Sequence, residues 1–287
     1  MKKILTFVIA AALCSQAFGW GGVGHRVIVE IAQRNLTEKA KKNIAKYMDY
    51  DLKKEAVWMD THRKDEPIAY TTSWHVYNVD EQSIYDPNPR LYKGDCIHAI
   101  KIADYNLRQY ERLTDSAVIF NLRMILHFVG DMHCPTHSYV PGPRCFWDCT
   151  LNGKKYQFHG VYDKMPQLVH NGKTDDQIAD ELDVLKKGEI KKIVKGDLHE
   201  WVHQVGLDNK VIYDWNPHLT PVLNDKTVEL STELVNKQMQ RAGYRLAYLL
   251  RVPYSRHLLW PWLPLQSLPL TSLLPYRLFP DLCKHLL

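Results

Sequence analysis

The chain has 287 residues, with 37 Lys and Arg against 32 Asp and Glu, so its formal net charge is +5. So small an excess excludes a protein that holds nucleic acid through a lysine-rich face, because such proteins are far more basic. A phosphodiester substrate would need another anchor, such as a metal cluster. The length allows one large domain with a full hydrophobic core.

The first nineteen residues have the layout of a secretory signal peptide. Lys2 and Lys3 precede an apolar run over 4–14, and Ala17-Phe18-Gly19 is a small-x-small cleavage site. The run is too short to span a membrane. We therefore expect cleavage after Gly19, which removes two lysines and lowers the net charge to +3. The product would be a secreted or periplasmic protein that begins at Trp20 and has no transmembrane anchor.

Apolar residues recur at helical spacing through most of the remaining chain. Thr37 is a typical N-cap, since its hydroxyl can accept a hydrogen bond from the first turn of a helix. Strand patterns are few, and Asn152-Gly153 between short apolar pieces predicts a hairpin turn. The sequence thus predicts an all-α domain over 20–252 with one short hairpin. The expected helices cover 27–36, 38–48, 52–63, 95–113, 116–132, 175–185, 189–205 and 227–250.

Residues 134–150 contain three prolines, one glycine and three cysteines, which predicts a loop. An exported protein meets oxidising conditions, so disulfides are expected, and one of them would close this loop. A zinc-thiolate site is the alternative, although no Cys-x-x-Cys pair is present. The first four cysteines after the leader allow three pairings, and the sequence does not choose among them. The five cysteines are Cys96, Cys134, Cys145, Cys149 and Cys283.

The C-terminal tail, residues 253–287, breaks sharply from the preceding composition, with twelve leucines and six prolines. The prolines exclude a long helix, and the leucines are not spaced for a strand. One interpretation is an apolar appendage that packs on the domain, and the other is a frameshifted or read-through end that does not belong to the domain. The lack of any periodic buried face favours the second.

Histidine and aspartate recur at spacings that suit a metal site. His127 and Asp131 are four residues apart on one predicted helix, so their side chains project from the same face. His159 and Asp163 repeat that spacing. A single pair of this kind is weak evidence, but two pairs with further candidates favour zinc bound by imidazole and carboxylate. The further candidates are His25, Asp60, His75 and His137.

Six segments, in chain order, resemble the S1/P1 nucleases. The most specific runs from His127 to His137 and reads HFVGDMHCPTH, which is similar to the family signature His-x-x-Gly-Asp-x-x-x-Pro-x-His. Residues 58–63 resemble the family's Trp-x-Asp-x-x-Arg segment. The resemblance covers about residues 20–250 with every ligand type present, and the tail has no counterpart. The remaining segments are 20–25, 74–78, 158–163 and 242–247.

This resemblance implies the phospholipase C/P1 nuclease type of fold and three bound Zn²⁺ ions. An α-amine, with a pKa of about 8, can bind a metal ion once it is deprotonated. Because the amine of Trp20 is free only after cleavage, the leader must be removed before such a site is complete. By position in the family pattern, the expected ligands are Asp60, His75, His127 and Asp131 for the first ion; the amine and carbonyl of Trp20, His25 and a bridging Asp131 for the second; and His137, His159 and Asp163 for the third.

The resemblance also implies the reaction. The expected enzyme is a secreted endonuclease that hydrolyses single-stranded DNA and RNA to 5′-mononucleotides, with 3′-nucleotidase activity on 3′-nucleotides. Clustered zinc supplies a nucleophile from water near neutral pH. Asp131 and Arg63 are the expected catalytic residues, with Arg63 placed to clamp a phosphoryl oxygen through its planar guanidinium. The alternative for Arg63 is a surface charge on a helix.

Several positions depart from the family pattern. Asn78 stands where some members carry an aspartate near the base, and Val76 stands where an aromatic ring can stack on it. Tyr77 is adjacent, but in an extended segment its side chain would point the other way. These three residues are the expected base-binding positions, with looser base selectivity. Cys134 and Thr136 also differ from the residues common in the signature loop, and neither is expected to bind metal. The same holds for His62 and His133, which lie near ligands in the sequence.

Two other functions stay open. The zinc phospholipases C resemble this family in fold and metal site, although they tend to carry a glutamate where this chain has Asp163. A secreted zinc-binding protein without catalysis is the second alternative, and it gives no reason for a phosphate clamp at Arg63. Fold analogy alone does not decide among the three.

Overall fold

The computed structural model describes residues 20–87, 94–139, 141, 147–215 and 222–251. The predicted signal peptide (1–19) and tail (253–287) lie outside these residues, as do Cys145 and Cys283. Within the described ranges the chain is all-α, which confirms the predicted fold class. None of the helices there combines the length and apolarity needed to cross a membrane.

Eleven α-helices make up most of the described chain, joined by turns and short 3-10 helices. They are α1 (Gly22–Arg34), α2 (Glu38–Ile44), α3 (Trp58–His62), α4 (Cys96–Leu107), α5 (Asp115–His133), α6 (Phe158–Val169), α7 (Asp175–Leu182), α8 (Lys187–Ile193), α9 (Leu198–Asn209), α10 (Val211–Asp214) and α11 (Asp225–Arg251). The 3-10 helices are Leu52–Glu55, Ala69–His75 and Tyr110–Arg112.

Strands are few and short. Asn152 and Gly153 have positive φ angles of 50° and 77° and form the predicted hairpin turn, which is therefore confirmed. The strands are β1 (Tyr77–Asn78), β2 (Ser138–Tyr139), β3 (Asp148–Leu151), β4 (Lys154–Gln157) and β5 (Val222–Leu223). The hairpin strands join a third in the order β4-β3-β5, and β1 and β2 form a separate parallel pair.

Two predicted helices prove to be interrupted. The stretch 52–63 is a 3-10 helix followed by the separate helix α3. The stretch 189–205 breaks because Asp197 accepts a hydrogen bond from the backbone of Glu200 and so caps a new helix, α9. The predicted cap at Thr37 is confirmed by its bond from Ala40, but the helix that it begins ends at Ile44, earlier than expected.

Three further differences concern the end of one helix, a long helix that was not predicted and the interior of the predicted loop. The helix expected over 95–113 ends at Leu107, and a short 3-10 helix follows it. Helix α6 is absent from the predicted elements, because the hairpin before it and Pro166 within it obscure the helical pattern. The loop predicted over 134–150 contains the short strand β2 and the start of the hairpin.

The described cysteines carry no disulfide among themselves. Cys96, Cys134 and Cys149 are free and buried. Every pairing between two of these three residues is therefore excluded in this structure. The predicted bonds that involve Cys145 or Cys283 fall outside the described residues.

Helices α1, α5 and α11 form the centre of the domain, with α4 packed on α5 and both α6 and α11 in contact with α1. Every residue of α5 from Met124 to His133 is buried. A helix that is buried on all sides is normally apolar all round. The polar residues of this stretch therefore need partners inside the domain.

Candidate metal centre

Helix α5 places one imidazole and one carboxylate in the core. His127 and Asp131 are both fully buried, and Nε2 of His127 lies 3.1 Å from Asp131 Oδ2. The Nδ1–H of His127 donates to the carbonyl oxygen of Ala56 at 2.8 Å. Such a bond fixes the tautomer and leaves Nε2 as the metal-binding nitrogen.

A first metal-capable group consists of Asp60, His75 and His127, whose ligand atoms lie within 4.8 Å of one another. Asp60 comes from α3 and His75 from the end of a 3-10 helix. Nδ1 of His75 lies 3.5 Å from Asp60 Oδ1 and 2.9 Å from Asp131 Oδ2. The structure thus brings together all four side chains that the sequence assigned to the first ion.

A second group adds the first helix to the cluster. It consists of His25, His127 and Asp131. Nε2 of His25 lies 3.4 Å from Asp131 Oδ1, and its ring stacks on that of His127 with centroids 4.0 Å apart. Gly130 permits this approach, because a Cβ there would lie 2.7 Å from Nδ1 of His25. A side chain at position 130 would displace the ring of His25 from this position.

The predicted N-terminal ligand lies next to α6. Trp20 is fully buried, and the backbone N–H of Gly21 donates to the carbonyl oxygen of Asp163 at 2.5 Å. This bond ties the start of the domain to the helix that carries the last expected ligand pair.

A third group forms where the chain leaves α5. His137 donates from Nδ1 to the carbonyl oxygen of His75 at 2.6 Å, and its Nε2 lies 3.4 Å from Asp163 Oδ1. His159 Nε2 lies 3.6 Å from the other oxygen of Asp163, and its ring stacks on His137 with centroids 4.7 Å apart. The metal-capable group here consists of His137, Asp163 and Cys134, a residue that the sequence did not predict to bind metal.

The cluster contains buried polar atoms that make no hydrogen bond within the described residues. In native proteins nearly all buried polar atoms are bonded, so such atoms call for a missing partner. Their convergence fits a set of cations held by nitrogen and carboxylate oxygen. The atoms are Nδ1 and Nε2 of His25, Oδ1 of Asp60, Nε2 of His75, Oδ1 of Asp131, Nε2 of His137 and Oδ2 of Asp163.

Burial and neighbouring charges shift the protonation of these groups in opposite directions. Desolvation, with the nearby His127, lowers the pKa of His25 to about 4. For His127 the desolvation is outweighed by the carboxylates of Asp131 and Asp60, which raise the pKa to about 9. Desolvation raises the pKa of Asp163 to about 7 despite its contact with His137. Without a cation, protons must therefore balance the buried carboxylates.

The predicted substrate-contacting residues differ in their surroundings. Arg63 is partly buried and directly follows α3, three residues after Asp60, and its carbonyl oxygen accepts from the hydroxyl of Thr72. Val76 and Asn78 are partly exposed. Tyr77 is corrected as a base-binding candidate, because its ring is buried and its hydroxyl donates to the carbonyl oxygen of Met132 at 2.8 Å.

Two histidines near the cluster have other partners. His62 stacks on Trp58 with ring centroids 4.2 Å apart. His133 is fully buried, and its Nε2 accepts from the guanidinium of Arg245 at 3.0 Å. The sequence offered no signal for this Arg245, because an arginine on a long amphipathic helix ordinarily faces water.

Comparison with known proteins places these observations in a family. A profile described as S1/P1 Nuclease matches residues 20–254. Nuclease S1 of Aspergillus oryzae is 25% identical over 86% of this chain and 96% of its own length. Endonuclease 2 of Arabidopsis thaliana is 26% identical over 65% of this chain and 67% of its own. Nuclease P1 of Penicillium citrinum is 25% identical over 53% and 60%.

Proposed function

Because the chain belongs to the S1/P1 nuclease family, we propose that it is a secreted endonuclease that depends on three Zn²⁺ ions. Its proposed substrates are single-stranded DNA and RNA, which it would hydrolyse to 5′-mononucleotides. A 3′-nucleotidase activity on 3′-nucleotides is part of the proposal. The domain would extend over 20–252, after removal of residues 1–19, and the tail would not contribute to it.

One observation carries this proposal. Buried nitrogen and carboxylate oxygen atoms without hydrogen bonds converge from α1, α3, α5, α6 and the segment after α5. A core that binds no ligand would bury apolar side chains or bonded polar ones at such positions. When bound, zinc would supply Lewis acidity and lower the pKa of water, so that hydrolysis of a phosphodiester proceeds near neutral pH.

Asp131 is proposed as the residue that joins the metal sites. Its Oδ2 lies 3.1 Å from Nε2 of His127, while its Oδ1 lies 3.4 Å from Nε2 of His25. One carboxylate therefore faces ligands of both the first and the second set. The contact between Gly21 and Asp163 supports a role for the neighbouring amine of Trp20, because it holds the start of the mature chain against the cluster.

Substrate contacts are proposed for residues at the edge of this cluster. Arg63 would neutralise charge on the phosphoryl group, since a guanidinium pairs with two phosphate oxygens at once. Asn78 and Val76 would lie near the base, where their small polar and apolar side chains give little discrimination. The modest overall charge agrees with a substrate held mainly through its phosphate at the metal cluster.

A zinc phospholipase C and a zinc-binding protein without catalysis remain the alternatives. The decisive assay uses secreted protein that begins at Trp20, with single-stranded DNA, RNA and phosphatidylcholine supplied in parallel, with and without a chelator. We expect chelator-sensitive release of 5′-mononucleotides. Cleavage of lipid alone would move the function to the phospholipases. Bound zinc without turnover of any phosphoester would contradict catalysis.

A further inference from the structure

The sulfur of Cys134 lies beside two of the expected ligands of the third ion. Its Sγ is 4.0 Å from Oδ1 of Asp163, and the same oxygen is 3.4 Å from Nε2 of His137. All three ligand atoms lie within 4.8 Å of one another. In a tetrahedral zinc site, with a Zn–S bond of about 2.3 Å and Zn–N and Zn–O bonds of about 2.1 Å, neighbouring ligand atoms are roughly 3.4–3.6 Å apart. Small side-chain movements would close this shell.

The backbone fixes Cys134 in this place. Its N–H donates to the carbonyl oxygen of Asp131, and its own carbonyl oxygen accepts from the N–H of His137, both at 3.0 Å. The side-chain amide of Asn209 bonds the same carbonyl oxygen at 3.4 Å. Cys134 and His137 are thus the first and last residues of one tight turn that faces α6.

The surroundings of the other described cysteines are different. Cys96 donates from its Sγ to a backbone acceptor, the carbonyl oxygen of Phe128, at 3.2 Å, whereas the acceptor beside Cys134 is the carboxylate of Asp163. Cys149 lies in strand β3 of the hairpin sheet. Among the residues that the structure describes, Cys134 alone of the cysteines belongs to a group able to hold a metal.

The same place contains buried atoms that need a ligand. Nε2 of His137 and Oδ2 of Asp163 make no hydrogen bond within the described chain, and both side chains are more than nine-tenths buried. We propose that Cys134 binds the third metal ion as a thiolate, together with His137, Asp163 and His159. The thiol proton passes to solvent as the sulfur–metal bond forms. This inference rests on the proposed function, since it requires that the cluster holds metal.

A thiolate changes the character of this site. Cys134 and Asp163 together would supply two negative charges, which neutralise a dication that a single carboxylate would leave positive. A soft sulfur donor favours Zn²⁺ or Cd²⁺ over Mg²⁺ or Mn²⁺. With His159 the protein would provide four ligands, the number found in closed tetrahedral sites. We therefore expect the third ion to exchange slowly and to tie the turn after α5 to α6.

The test is spectroscopic and uses the full secreted protein. Zinc-edge X-ray absorption of the three-zinc protein should contain a sulfur shell at about 2.3 Å, with about one third of a sulfur per zinc. The cobalt-substituted protein should show thiolate-to-cobalt charge-transfer absorption in the near ultraviolet. Cys134→Ser should abolish both signals, whereas Cys149→Ser, which also removes a buried thiol, should keep them. We expect Cys134→Ser to weaken binding of one ion by more than the roughly 10–100-fold effect of an outer-shell partner.

Each outcome has a defined meaning. A protein that binds zinc and cleaves nucleic acid but lacks the sulfur shell would overturn the role of Cys134 and leave the proposed function intact. Persistence of the cobalt–thiolate absorption in Cys134→Ser would also overturn it. The wild-type X-ray measurement decides the matter even if the serine variant does not fold. A protein without bound metal would contradict the proposed function and this inference together.

Discussion

Helix α5 contributes to two buried polar clusters, which differ in whether their polar atoms form hydrogen bonds with one another. The candidate metal cluster around Asp131 contains nitrogen and oxygen atoms without hydrogen bonds within the described residues. The second cluster lies around Arg245, which is fully buried and lies over the ring of Trp201. Its guanidinium donates to His133, to the carbonyl oxygen of Ile193 and to Gln204.

In the Arg245 cluster, the buried histidine finds its hydrogen-bond partners within the protein and needs no added ligand. His133 donates from Nδ1 to the carbonyl oxygen of Val129 and accepts at Nε2 from Arg245, so both ring nitrogens are bonded. Desolvation, together with the guanidinium charge, holds the pKa of His133 well below its usual value, and the ring stays neutral. Buried polar groups that satisfy one another stabilise a fold, whereas convergent groups that do not satisfy one another form a ligand site.

Asp131→Asn should have the largest effect, because it removes the carboxylate that belongs to the proposed ligand sets of both the first and the second ion. We expect loss of the first and second ions and a fall in nuclease activity of at least about 100-fold, more than removal of an outer-shell partner causes. Metal analysis measures the loss of the ions, and turnover of single-stranded DNA measures the loss of activity. Asp208→Asn, which alters a carboxylate paired with Lys237, is the matched control and should retain the metal. Full metal content in Asp131→Asn would remove its bridging role.

Adding one residue before Trp20 should affect the candidate metal cluster and leave the Arg245 cluster unchanged. The amine would be displaced from the metal cluster, and we expect activity to fall by about 10–100-fold. The unfolding free energy of the chelated protein should not change, since the Arg245 cluster is unaffected. One residue inserted after Gly153, at the open hairpin tip, serves as the control for added length. Undiminished activity of the extended protein would exclude Trp20 from the site.

Arg245→Met should have the converse result. It leaves Nε2 of His133 buried without a donor and removes the bonds to Gln204 and to the carbonyl oxygen of Ile193, so we expect the unfolding free energy to fall by about 3 kcal/mol. The number of bound metal ions should stay the same. Urea unfolding of the chelated protein measures the loss. Arg241→Met, which breaks a partly exposed ion pair with Asp208, should cost less than about 1 kcal/mol. Equal losses of unfolding free energy in Arg245→Met and Arg241→Met would contradict a special structural role for the buried Arg245 cluster.

The pH dependence of stability gives the smallest and most specific test. The folded-state pKa values of His127 and Asp163 are raised to about 9 and about 7, so their stabilising contributions are lost as the pH rises through those values. The contribution of neutral His133 has the opposite sign and is lost as the pH falls below about 6.5.

Thermal unfolding between pH 6 and about 9 measures this difference. We expect the chelated protein to lose stability as the pH rises, because the buried carboxylates lose their balancing protons. The metal-loaded protein should keep its stability, since bound cations replace those protons. The gap between the two melting temperatures should widen with pH. A constant gap would mean that the buried protons and the metal do not compete.

The sequence predicted the local parts of this structure and the ligands that helical spacing brings together. Thr37 as a cap, the Asn152-Gly153 turn and the pair His127 and Asp131 all depend on residues within one turn or one helix. The positions of Cys134 and Arg245 depend on elements far apart in the chain. A thiol becomes a ligand candidate only when α6 brings Asp163 next to it, and spacing alone does not reveal that. Likewise, nothing local separates a buried arginine from an exposed one.

The long chain separations within the metal cluster have a kinetic consequence. The backbone bond from Gly21 to Asp163 and the contact of His25 with Asp131 close loops of more than 100 residues. Such loops have a large closure entropy and form late in folding. We expect the cluster to be unformed in the transition state, so that bound metal slows unfolding and leaves the folding rate nearly unchanged. If the enzyme is secreted as proposed, the resulting long lifetime of its metal-loaded native state would protect it from proteases.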